Sequence, residues 1–207
     1  RWVFQADEGR RNGGHADCWR VVRLAERPEE TRLVMTMCGG NALVMTDGGG
    51  RLVWRATGHH YESVDVGEIR DDVPGLELVV DVDHLPAPPM PLCVFDELGN
   101  PLGRIDTDST RHHDLVDFSG DGLQQIGSAL PRGHFDGRGR RVCSLAIGEG
   151  ERPMLMAAVD LAGHGPRDVL LTTIQEGVYK AYLYRNETAV PPSGKRPAGT
   201  GLNFTLY

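Results

Sequence analysis

No apolar run in the 207-residue chain approaches 18 residues, so the sequence offers no membrane-spanning helix. Lysine is nearly missing. Of 22 basic residues only Lys180 and Lys195 are lysines, which leaves few candidates for a lysine general base. Positive charge is short overall, at 22 basic against 29 acidic residues, a net charge of −7. That balance excludes the basic footprint of a nucleic-acid-binding protein. The four cysteines, Cys18, Cys38, Cys93 and Cys143, lie far apart and form no CxxC pair. They read as small buried thiols rather than as a zinc motif or a disulfide framework. No long helical pattern is visible. What the chain has in quantity is glycine (27) and proline (13), the composition of short strands joined by tight turns.

A strand signal recurs four times, at Val22-Arg23-Leu24, Val64-Asp65-Val66, Val116-Asp117-Phe118 and Val159-Asp160-Leu161, in steps of 42, 52 and 43 residues. A period of about 40–50 residues denotes a repeat architecture whose units bury their faces against each other. A second apolar strand follows each first one, at Arg32–Met35, Glu77–Val80, Gln125–Gly127 and Asp168–Leu171. A third strand then enters a hairpin at Asp47–Arg51, Asp96–Asn100 or Asp136–Arg140. Glycine supplies the positive φ in such turns, and Asp bonds its own backbone there.

The expected fold is an all-β propeller with about four blades. Residues 1–207 form one propeller region, with blades at 17–58, 59–111 and 112–154. Residues 155–207 make a further blade plus a closing C-terminal strand. Asp7-Glu8-Gly9-Arg10 reads as a hairpin left from an earlier blade, so residues 1–16 are assigned as its tail and the ring is expected to be larger than four blades. The proline-bearing segment 188–200 reads as a loop.

Two loop sets follow. Asp117, Ser119 and Asp121 alternate along a glycine-bearing loop that ends at Gln125. That pattern suits either a calcium loop, with mixed oxygen ligands, or an Asx-type turn without metal. The equivalent loop after Asp160, which includes His164, offers fewer oxygens. On the opposite face, before strand one and after strand two, fall His59, His60, Glu62, Asp83, His84, His112, His113 and Arg132. Cys38–Asn41 holds the matching place in the first repeat. Five of the eight histidines thus gather at one mouth. Imidazoles beside carboxylates make a metal site or an acid–base site, and Arg132 suits a substrate carboxylate.

The stretch from Gly58-His59-His60-Tyr61-Glu62 through Pro74-Gly75-Leu76-Glu77 resembles propeller segments of rhamnogalacturonan lyases, the family-11 polysaccharide lyases and related FG-GAP-like proteins. Arg111-His112-His113 to Gln125 and the ending from Tyr182 to Tyr207 add to the resemblance. It implies a calcium-using enzyme that cleaves an acidic polysaccharide by β-elimination, in an extracellular setting. His60 and Glu62 match the family's His-x-Asp positions, with Glu in place of Asp. On this reading His60, His112 or His113 removes the proton, and Arg132, His59, His84 and Asn41 hold substrate. Glu62, Asp83, Asp117, Ser119, Asp121 and Gln125 are the implied metal ligands. The rival expectation is a non-catalytic propeller that binds glycan or protein at the same mouth.

Overall fold

The computed structural model describes residues 15–107, 113–161 and 168–187, and the backbone of 203–205. The expected hairpin at Asp7–Arg10, His112, His164 and the segment 188–200 lie outside the described residues. Among the described residues sixteen strands form four antiparallel sheets, each running in chain order except that the last strand joins the first sheet. The first blade holds β1 (Ala16–Arg23), β2 (Arg32–Met37), β3 (Ala42–Asp47) and β4 (Leu52–Thr57). The second holds β5 (Val64–Gly67), β6 (Glu77–Asp81), β7 (Met90–Phe95) and β8 (Pro101–Thr107). The third holds β9 (His113–Val116), β10 (Gln125–Ser128), β11 (Gly133–Phe135) and β12 (Arg141–Ser144). The fourth holds β13 (Arg152–Val159), β14 (Asp168–Gln175) and β15 (Val178–Tyr184), and β16 (Asn203–Thr205) pairs with β1 on the edge away from β2. Strand β1 packs beside β5, β5 beside β9, and β9 beside β13. The chain is an all-β propeller with four blades among the described residues.

Why the blades hold together follows from the two-residue period of a strand. In β6, Leu78 and Val80 face one way, into a core with Cys18, Val22, Val34, Leu43 and Met45 of the first blade. Val79 between them faces the other way, into a core with Leu115, Ile126 and Phe135 of the third. All five residues of β6 are therefore buried, and its sequence Glu-Leu-Val-Val-Asp carries a continuous apolar centre instead of a polar–apolar alternation. A third core joins Val116 and Ala129 to Met156, Val169 and Leu171. Each blade is thus stabilised by its neighbours, as repeat architecture requires. Truncating Leu78 or Leu43 to Ala costs about 2–5 kcal/mol.

The Asp/Gly hairpins are built alike. Asp47 Oδ1 accepts the N–H groups of Gly49 and Arg51, each at 2.9 Å. Asp96 Oδ1 does the same for Leu98 (2.9 Å) and Asn100 (2.7 Å), and Asp136 Oδ1 for Arg138 (3.0 Å) and Arg140 (2.9 Å). The second and third hairpins also latch onto the preceding blade. Trp54 Nε1 of the first blade donates to Glu97 O at 2.9 Å, and Arg138 pairs with Asp72 of the second at 2.9 Å. Gly99, with φ 86°, lies under the Trp54 indole, where an added Cβ would come within 2.8 Å.

Candidate functional site

Antiparallel order sorts the loops onto two faces. The β1–β2 and β3–β4 loops meet on one face, where Gly48 N–H bonds Pro28 O at 2.8 Å. The β2–β3 loop and the link into the next blade meet on the other, where Gly58 N–H bonds Asn41 O at 3.1 Å. Among the described residues this second face carries two clusters of side chains able to hold a metal, side by side at the junction of the first two blades.

The first cluster is His60, Glu62 and His84, whose ligand atoms lie within 4.8 Å of one another. His60 and Glu62 are two residues apart in extended chain leading into β5, which sends both side chains the same way. His60 Nε2 is 3.8 Å from Glu62 Oε1. His84 arrives from the β6–β7 loop because Asp83 N–H bonds His60 O at 2.9 Å, an isolated antiparallel bridge. The two imidazoles then pack with centroids 4.3 Å apart. His84 adopts φ 55°, a left-handed conformation uncommon for a residue with a large side chain. Its N–H bonds Asp83 Oδ1 at 2.6 Å, and its Nδ1 sits 3.7 Å from Asp83 Oδ2.

The second cluster is His15, Asp17 and Cys38. Cys38 is fully buried and its Sγ donates to Asp17 Oδ2 (2.5 Å) and Tyr61 O (2.9 Å). His15 Nε2 is 2.7 Å from Asp17 Oδ1. Burial pushes the Cys38 thiol far up, and the carboxylates of Asp17, Glu62 and Asp81 push it the same way. Asp81 is itself fully buried; its Oδ1 accepts the N–H of Glu62 (3.0 Å) and Ser63 (2.6 Å). Desolvation raises its carboxyl. Burial thus favours the protonated forms of Cys38 and Asp81 under the mouth.

Of the residues singled out in the sequence, His60, Glu62, Asp83 and His84 come together. His59 is exposed next to them, its ring edge-on to Tyr61 at 6.0 Å. Asn41, exposed at φ 48°, shapes the β2–β3 turn. His113 belongs elsewhere: its side chain is 1% exposed, with Nε2 3.4 Å from Asp65 Oδ2 and 3.3 Å from Val79 O. Asp65 also pairs with Arg20 at 3.4 Å, so His113 sits in a network between inner strands. Arg132 is exposed on the β10–β11 loop of the third blade, its carbonyl held by Arg141. In the Asp117 loop, Asp117 Oδ1 accepts Gly120 N–H (2.8 Å) and Gln125 Oε1 accepts Phe118 N–H (2.8 Å). Gln125 Nε2 bonds Ser119 Oγ at 2.9 Å, and Asp121 Oδ1 takes Leu123 N–H at 3.0 Å. These side chains close their own loop.

Sequence reasoning passed over Asp17 and read Cys38, at the matching place of the first repeat, only as a small buried thiol. The available signal was the spacing His15-Ala16-Asp17, which repeats His60-Tyr61-Glu62 one blade earlier.

No family model matches the chain, and no curated protein matches it. Among solved structures, it is similar to BBS1N, crystallised in complex with ARL6DN and soaked with lead, at a TM-score of 0.52 and 15% identity. The likeness covers 92% of this chain and 60% of BBS1N, so the chain spans about 60% of that structure's length. A protein of unknown function from Bacteroides caccae aligns at a TM-score of 0.43 and 12% identity, over 91% of this chain and 62% of that one. At such identity the resemblance to BBS1N is one of fold. It agrees with the propeller class, and neither comparison relates the chain to rhamnogalacturonan lyases.

Proposed function

We propose that this propeller is a non-catalytic binding module that takes an extended protein segment along the outer edge of its fourth blade. The observation that carries the reading is strand β15. In the first three blades a fourth strand covers the third, whereas β15 is the last strand of its sheet among the described residues. It still exposes Val178 (58%), Tyr179 (70%) and Leu183 (51%). A long apolar strand edge is a template for strand addition by a partner. The strand is also stiffly held, since Lys180 (2.5 Å) and Tyr182 (2.8 and 2.9 Å) both bind Glu151. A net charge of −7 favours a partner segment carrying basic residues.

The same charge repels a polyuronate, which weighs against an acidic polysaccharide. The residues a β-elimination would draw on are also dispersed: His113 is enclosed between blades, Arg132 stands on the third blade, and His60 lies at the first junction. BBS1N, the similar propeller, was crystallised with another protein, ARL6DN.

The test places a photo-cross-linking side chain at Tyr179, and separately at the exposed Leu98 on a hairpin tip, in extracts of the source cell. One discrete partner adduct at position 179 and none at 98 supports the reading. Equal yields at both, an adduct of the chain with itself, or unsaturated uronate released from rhamnogalacturonan would contradict it.

A further inference from the structure

We propose that His60, Glu62 and His84 form a binding site for a divalent cation of the zinc class at the junction of the first two blades. Two imidazoles and one carboxylate are a donor set that zinc accepts, with a fourth position left open. The nitrogen donors favour zinc-like ions over calcium, which takes oxygen.

Distance decides whether the set can close. In a tetrahedral zinc site with bonds of about 2.05 Å, ligand atoms stand about 3.3 Å apart. His60 Nε2 and Glu62 Oε1 are already 3.8 Å apart, and all three ligand atoms lie within 4.8 Å. Rotation of side chains alone covers that difference. The backbone needs no change, because the His60–Asp83 bridge already sets the two loops against each other.

Two further observations point to a cation. His84 is held at φ 55°, and local strain of this kind persists where the surroundings fix it, often at ligand clamps. Beside the site lies an unpartnered buried oxygen: Asp81, fully buried, has Oδ2 without a hydrogen-bond partner while its Oδ1 grips the backbone of Glu62. Asp17, in the neighbouring cluster, is buried against Cys38 and already has His15 beside it at 2.7 Å. Buried carboxylates are costly unless a cation offsets them. Asp83 then acts as the outer carboxylate that orients His84, the usual companion of a metal-bound imidazole.

Zinc chloride alone, titrated calorimetrically into the whole chain, tests this independently of any protein partner. One equivalent is expected to bind, at least about tenfold more weakly in His60→Ala, Glu62→Gln and His84→Ala, and unchanged in His59→Ala. His84→Gly serves as the variant that removes the ligand yet suits the local backbone, so loss of binding there is not a folding failure. Cobalt(II) is expected to give tetrahedral d–d absorption without a thiolate charge-transfer band. Absence of stoichiometric uptake overturns the proposal, as does equal uptake by all three variants. A thiolate band that disappears in Cys38→Ser would move the metal to the His15–Asp17–Cys38 cluster and overturn it as well.

Discussion

Asp83 donates its backbone N–H to the carbonyl of His60 at 2.9 Å, pairing two residues that belong to no named strand. This one bridge brings the loop after β6 against the entry to β5. It makes neighbours of His60 and His84, 24 positions apart in the chain. The cost is the left-handed backbone of His84.

That cost is measurable. Replacing His84 by Gly removes the steric penalty of φ 55° and adds the entropy loss of a glycine, two effects of about 1 kcal/mol that oppose each other. Urea denaturation of His84→Gly is expected to stay within about 1 kcal/mol of wild type, and His84→Val to lose about 2 kcal/mol. Equal losses in the two would show that the backbone at this position carries no strain.

The hairpin aspartates are expected to act one by one. Asp96→Ala leaves the N–H groups of Leu98 and Asn100 without their side-chain acceptor, at a cost of about 1–2 kcal/mol. Asp96→Asn keeps an oxygen at the same place and should lose less than half as much. Thermal melts of the pair check the order.

Gly99→Ala meets two obstacles together, φ 86° and the Trp54 indole 2.8 Å from the new Cβ. A loss of about 2 kcal/mol or more is expected. Trp54 fluorescence should shift in the folded variant, because the ring must move to admit the methyl group. An unchanged spectrum and melting point would mean that the hairpin does not press on the first blade as described.

His134 supplies a pH signature. It is fully buried, stacked on Phe118 with centroids 4.8 Å apart, and its ring nitrogens have no hydrogen-bond partner. Burial lowers its pKa to about 4. Unfolded histidine binds its proton near pH 6.5, so between pH 6.5 and 4 the unfolded state holds more protons and stability falls with acidification. The full effect is about 3 kcal/mol. Glu77 has the opposite sign: burial raises its carboxyl to about 7, so its stabilising contribution is present below pH 4.5 and is lost as pH rises through 7. His134→Phe should flatten the acid side of the stability–pH curve, and Glu77→Gln the neutral side. Unaltered curves would contradict both assignments.

What was legible in the sequence is what is decided locally. The Asp47, Asp96 and Asp136 turns close within four residues, so spacing alone exposes them. The Leu78-Val79-Val80 run marks an inner strand because burial on both faces demands apolar residues at its central positions. The mouth was harder. His112-His113 looks like a second copy of His59-His60, each pair ending four or three residues before its repeat valine. Yet β9 begins at His113 whereas β5 begins only at Val64. The same offset therefore lies within a strand in one blade and ahead of it in the other. Asp65 and the Val79 carbonyl hold His113 inside as a result. The Asp117 loop was ambiguous for a different reason. Oxygens that suit a cation equally suit the loop's own N–H groups, and composition does not separate the two uses.

The most direct measurement of the binding account is amide hydrogen exchange along residues 178–184, read with and without the partner captured at Tyr179. Strand addition predicts that alternate amides of β15 slow markedly on binding while those of β4, β8 and β12 keep their rates. Unchanged exchange in β15, with protection appearing on another blade, would contradict it.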